Sequence, residues 1–252
     1  MDARTKPDLE LAKKTLPRPL FKVLQYLIPR VPSDCVLVGG TALSGFYIAH
    51  RRSDDLDLFV KDEISFKATQ LAVTSLKGQA VQFHSQSVSS FYFHANCSLE
   101  NHFFTIDVVL DPGLFSVGEF FPLGENMQIA SLQTLLRMKA AALVSRCSEK
   151  DLADMRRLLE ICPQVAIEEL IRFGRSIESG VSAESMLASV GGTQLREEAC
   201  DFSLSAKENK KVIFRELERF QKQLVKSLQT FLVGQPAPPL GELMAHARRV
   251  LK

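Results

Sequence analysis

The apolar residues change spacing part-way along the chain. FKVLQYLI (21–28) has one apolar face and follows Pro17 and Pro19, which interrupt a short helical lead-in. VLVGG (36–40) predicts a buried strand ending in two glycines, and TALSGFYIAH (41–50) a helix with Ala42, Phe46 and Ala49 on one side. DLDLFV (55–60) begins with strict polar–apolar alternation, so it predicts a strand whose Leu56, Leu58 and Val60 enter a core. A helix around 65–77 precedes strands at 81–88, 91–97 and 103–110, and Asp111-Pro112-Gly113 closes the last as a turn.

From Ser131 the spacing is helical throughout: 131–146, 148–162, 164–174, 182–190 and 206–233, then 240–251 after the breaker PAPP. In 206–233 the residues Ile213, Leu217, Phe220, Leu224, Leu228 and Phe231 form one core face. The expected architecture is an α/β (α+β) domain over 1–125, with its helical lead-in, followed by a helical domain over 126–252.

Composition narrows the class. At 46% hydrophobic and 24% charged, the 252 residues are those of an ordinary globular protein. No apolar run approaches the roughly 18 to 20 residues of a membrane span. The N-terminal stretch lacks the layout of a secretory signal, so a cytoplasmic address is expected. Five scattered cysteines without a CxxC argue against a disulfide framework or thiolate zinc site. The net charge of +2 hides a division: residues 1–30 carry +4 and residues 207–252 carry +6, which leaves −8 for the middle. That distribution suits a carboxylate site between basic segments able to meet a polyanion, as well as two solvated helix faces.

The strongest chemical signal is Asp55-Leu56-Asp57. Residues two apart on a strand share a face, and two like charges so close repel unless a cation lies between them. Oxygen ligands alone favour Mg²⁺ or Mn²⁺. Upstream, Gly39 and Gly40 end a buried strand at a helix entry, where backbone can approach phosphate and free N–H groups attract it. The pattern is neither a P-loop nor GxGxxG. A third carboxylate, Asp107, lies within FFTIDVVL among apolar neighbours; if its strand adjoins 55–60, the three acids form one metal set. Asp111 shares its parity, but a local turn hydrogen bond accounts for it.

Two further features stand out. Lys139 and Arg146 fall on the apolar stripe of helix 131–146, where a lysine needs an anionic partner or a snorkelling route to solvent. Ser148 to Asp151 forms a capping box, which by itself accounts for Asp151, and Asp154 is placed to pair with Lys150. His94, Cys97 and His102 would point in mixed directions and make a poor metal cluster.

The stretch Val38-Gly39-Gly40-Thr41-Ala42-Leu43, followed by His50 to Phe59 with its Arg51-x-Ser53-x-Asp55-x-Asp57 core, resembles the AbiEii-type toxin nucleotidyltransferases of the DNA polymerase β-like superfamily. Ile129 to Leu159 is similar to that family's second block, with Lys139, Arg146, Lys150, Asp151 and Asp154 at its polar positions. The resemblance covers roughly residues 34–160. It implies a small mixed sheet flanked by helices, followed by a helical C-terminal domain. It implies Mg²⁺ (or Mn²⁺) on Asp55, Asp57 and Asp107, which are also the catalytic residues, and an NTP as co-substrate. Gly39, Gly40, Thr41, Arg51, Ser53, Lys139 and Asp151 are the implied nucleotide-binding residues. In the wider superfamily Gly-Ser often stands where this chain has Gly-Gly, so a phosphate-binding hydroxyl must come from Thr41 or be absent.

The leading expectation is therefore NMP transfer from an NTP to an acceptor hydroxyl, on tRNA, another RNA or a protein, by the toxin of a toxin–antitoxin or phage-defence system with a possible cognate antitoxin. Small-molecule nucleotidylation and a non-catalytic interaction protein are the alternatives. A DxD glycosyltransferase fits poorly, because its apolar strand precedes the motif.

Overall fold

The computed structural model describes residues 6–205, 209–237 and 239–241. Two compact units divide between Leu135 and Leu136. The first holds helices α1 (Leu9–Thr15) and α2 (Arg18–Leu27), strand β1 (Val36–Val38), a π-helix (Thr41–Ile48) and strand β2 (Asp55–Val60). Helix α3 (Glu63–Thr74), strands β3 (Gln82–Val88), β4 (Tyr92–Leu99) and β5 (His102–Leu110), helix α4 (Pro112–Val117), and strands β6 (Phe120–Leu123) and β7 (Met127–Ala130) follow. Helix α5 (Leu132–Ser145) runs across the division.

Among the described residues the seven strands form one mixed sheet in the order β3-β4-β5-β2-β1-β7-β6. β1 pairs antiparallel with β2 and parallel with β7, and β2 pairs parallel with β5. β1 is buried at every position, as a strand flanked on both edges and both faces should be. Leu56, Leu58, Ile106 and Val108 are completely buried on one side of β2 and β5, where α2 and α3 pack against β5. Truncating any of these leucines or Ile106 to alanine costs about 2–5 kcal/mol.

Local chemistry explains where the structure departs from the sequence reading. Pro17 caps α2 and Pro19 lies in its first turn, so the two prolines separate α1 from α2. Segment 41–48 is π-helical, and Thr41 through Phe46 are all buried, so no solvent side exists to give a one-faced pattern. Helix 65–77 splits into α3 and a 3₁₀ turn at Ser75–Gln79. Asp111 does accept a local hydrogen bond, from Leu114 N at 3.1 Å, but it caps α4 with Pro112 in the first turn. β6 and β7 were not expected. Each has four residues, and β7 gains its place from non-local parallel pairing with β1. The sheet thus extends to Ala130.

The second unit is helical: α6 (Glu149–Ile161), α7 (Ile167–Ile177), α8 (Ala183–Gly192) and α9 (Lys210–Leu232). α6, α7 and α8 all pack against α9. Ile213, Leu217, Phe220, Leu224 and Leu228 are the buried apolar face of α9, at helical spacing. The expected helix 240–251 lies outside the described residues beyond Gly241. No described helix is long and apolar enough to cross a membrane.

Candidate active site

Alternation along β2 leaves Asp55, Asp57 and Phe59 half-buried on the side opposite the core leucines. The parallel register sets Asp57 opposite Asp107 and Asp55 opposite Thr105, so the three carboxylates share one sheet face. Thr105 donates its hydroxyl to Asp55 Oδ1 at 3.0 Å. Tyr92 OH donates to Asp107 Oδ1 at 2.6 Å, and His94 Nδ1 lies 2.7 Å from the same oxygen. Burial, then the bond from Tyr92 to Asp107 and the charges of Asp107 and Asp57, push the Tyr92 phenol up to about 12.

The two glycines fit against this strand. Gly39 has φ +70°, and a Cβ there would lie 1.8 Å from Asp57 Oδ2. A Cβ on Gly40 would lie 2.3 Å from Arg51 Nη2 and 2.8 Å from Ser53 Oγ. Glycine is thus required twice, for backbone conformation at Gly39 and for space at both positions. The π-helix holds the same stretch from its other side. Buried Thr41 donates its hydroxyl to Asp55 O, and Ser44 Oγ donates to Arg51 O and accepts from Arg51 N at 3.2 Å.

Arg51 is buried, with Nη1 donating to Arg52 O at 2.9 Å. Ser53 is 2% exposed, and its Oγ has no hydrogen-bond partner among the described residues. A buried hydroxyl without a partner is costly, which marks this atom as one that a ligand oxygen would satisfy.

The second block builds an ion cluster in which Lys139, Asp151 and Asp154 are buried, while Arg146, expected on the apolar stripe, is exposed. Lys139 Nζ donates to Asp151 Oδ1 at 3.0 Å and lies 2.6 Å from Asp154 Oδ2. Arg146 donates Nε to Asp151 Oδ2 at 2.8 Å and Nη2 to Oδ1 at 3.0 Å. Ser148 and Asp151 close the capping box of α6. Burial pushes the Asp151 carboxyl up, but Lys139, Arg146 and Ser148 outweigh it and hold the group well below the usual carboxylate range. The anionic partners that a core-facing lysine requires are therefore present within the protein, and Asp154 is one of them.

Residues 25–245 match the family described as "Nucleotidyl transferase AbiEii toxin, Type IV TA system". The chain belongs to this family. It is accordingly a nucleotidyltransferase of the toxin–antitoxin class, with an NTP as substrate. No curated protein matches the chain. Among solved structures, this AbiEii-family chain is similar to an H. pylori protein described as a nucleotidyltransferase, at 15% identity over 83% of this chain and 95% of that one, TM-score 0.48. It is similar to JHP933 from Helicobacter pylori at 16% identity over 96% and 98% of the two chains, TM-score 0.45. The nucleotidyltransferase toxin MenT4 from Mycobacterium tuberculosis H37Rv matches at 15% identity over 82% and 89%, TM-score 0.47.

A divalent metal is typical of this enzyme class. Asp55, Asp57 and Asp107 suit one in kind, because they are an all-carboxylate set on one face of adjoining strands. As the side chains stand, no three His, Cys, Asp or Glu groups among the described residues gather closely enough to hold an ion. The sequence reading passed over Tyr92 and Thr105, and weighed His94 only with Cys97 and His102. Their signal was parity with Asp107 and Asp55, hidden until strand register is known.

Proposed function

We propose that this AbiEii nucleotidyltransferase moves an NMP from an NTP to a hydroxyl of an RNA acceptor, in the cytoplasm, using Mg²⁺ (or Mn²⁺) held by Asp55, Asp57 and Asp107. The observation that carries the proposal is the register of Asp57 against Asp107, which gives adjoining strands a common acidic face. When bound, the cation supplies charge neutralisation on the triphosphate and on the oxygens exchanged at phosphorus.

The chain's own groups complete the nucleotide side. The Gly39-Gly40 turn and the first N–H groups of the π-helix present backbone to the phosphates. Thr41 spends its hydroxyl proton on Asp55 O, so the hydroxyl offered to phosphate in this proposal is that of Ser53. Arg51, beside Gly40, contributes positive charge there. Lys139 and Asp151, from the second block, are proposed nucleotide-binding residues as well, and they are paired with each other.

An RNA acceptor is supported by the face around Asp107. Tyr92, Asn96 and Phe103 are exposed on the same side of β4 and β5 as Asp107, with Phe103 at 68%. Exposed aromatics on an open sheet are stacking surfaces for unpaired bases. Phe103 lies four residues from Asp107, about 13 Å along the strand, which is a span for a short single-stranded end. The basic excess of residues 1–30 and 207–252 suits a phosphate backbone. The test is incubation with each α-labelled NTP, Mg²⁺ and total tRNA or cell protein: label should enter RNA, and Asp57→Ala should abolish it.

A further inference from the structure

Asp107 is held from the neighbouring strand by two side chains. Tyr92 and His94 stand two apart on β4, so both side chains reach the open face. His94 is directly opposite Asp107 across the β4–β5 ladder, and Tyr92 is its diagonal neighbour. Their rings stack, with centroids 6.3 Å apart at 18°. Both polar atoms meet one carboxylate oxygen, Oδ1, at 2.6 and 2.7 Å. No described residue donates a hydrogen bond to Oδ2.

A carboxylate at the surface of a sheet ordinarily rotates about its last torsion. Two donors from a rigid neighbouring strand to the same oxygen stop that rotation and choose which oxygen faces away. A carboxylate oxygen accepts, so the pair is a hydrogen bond in the His94 tautomer that carries a proton on Nδ1.

We propose that Tyr92 and His94 are positioning residues for the third carboxylate: they hold Asp107 by Oδ1 and present Oδ2 to the divalent cation. This rests on the reading of Asp55, Asp57 and Asp107 as a cation site. Asp107 is then held in place within the set by its Oδ1. Hydrogen-bonded partners of metal-binding carboxylates commonly govern affinity by about tenfold or more.

The test uses the full-length protein without nucleotide. Mn²⁺ binding is followed by the electron paramagnetic resonance of the free ion, with melting curves to verify folding. Tyr92→Phe and His94→Ala should each weaken Mn²⁺ binding about tenfold. His94→Asn, whose amide can donate from near the Nδ1 position, should restore most of the affinity. Terbium provides a second readout, because the chain has three tyrosines and no tryptophan. Tyrosine-excited Tb³⁺ emission should appear in wild type and largely vanish in Tyr92→Phe. Wild-type or tighter Mn²⁺ binding in both Tyr92→Phe and His94→Ala, or undiminished Tb³⁺ emission in Tyr92→Phe, would overturn the positioning role. Asp57→Asn separates the two layers: if it binds Mn²⁺ like wild type, the cation site itself is wrong.

Discussion

Asp57 and Asp107 stand directly opposite one another on parallel neighbouring strands, although they are fifty positions apart in the chain. Like charges so placed repel each other when no cation is present. Asp57→Asn should therefore leave the melting temperature unchanged or raise it, while lowering nucleotidyl transfer by about 10²-fold or more. Melting curves and initial rates on the same preparation check both halves. A large loss of stability would mean that Asp57 is a structural residue.

Gly39 and Gly40 give a second expectation. Gly39→Ala places a methyl 1.8 Å from Asp57 Oδ2 on a residue at φ +70°. The cost should be about 1–3 kcal/mol of stability, with loss of activity. Gly40→Ser should fail as well, since Arg51 Nη2 and Ser53 Oγ already occupy that space. Ser53→Ala should instead keep its fold and weaken NTP binding, which calorimetry with a non-hydrolysable NTP would measure.

The ion cluster predicts a pH effect. Asp151 has a folded pKa below its ordinary 3.8. Its contribution is thus complete above about pH 4 and is lost as pH falls through the lower folded value. Asp151→Asn should remove that acid-side loss, at a cost of about 3–5 kcal/mol at neutral pH. Melting temperature against pH for both proteins is the measurement.

Lys139 is to be judged by two readouts. Lys139→Met leaves Asp154 and Asp151 with less compensation and should lower stability. Adding Asp154→Asn should recover part of it. If Lys139 also binds nucleotide, NTP affinity stays low in the double variant; recovery of affinity together with stability would make its role structural.

Phe103 tests the acceptor. Phe103→Ala removes an exposed ring and should cost about 1–3 kcal/mol of RNA binding, seen as a higher KM for RNA. NTP binding and melting temperature should not change.

The common face of the three acids was largely legible before the structure. The alternation of DLDLFV fixed the common side of Asp55 and Asp57, and the charge of Asp107 among apolar residues singled it out. The loop between β4 and β5 carried more than was read from it. Glu100 and Asn101 both have positive φ, at 52° and 63°, which is the two-residue turn of a tight hairpin. That turn fixes Leu99 opposite His102, and counting outward puts His94 opposite Asp107. β6 and β7 were not legible, because four-residue strands with a proline carry little pattern, and β7 pairs with a strand about ninety positions away. The π-helix was equally hidden, since a buried segment has no polar side to show its period.

The central claim is metal-dependent NMP transfer to RNA by the acids of β2 and β5. It is tested most directly by α-labelled NTPs with Mg²⁺, total tRNA and cell protein, comparing wild type with Asp57→Ala. The account predicts label in RNA with wild type, none with Asp57→Ala, and none when the divalent ion is chelated. Equal labelling by wild type and Asp57→Ala, or label only in protein, would contradict it.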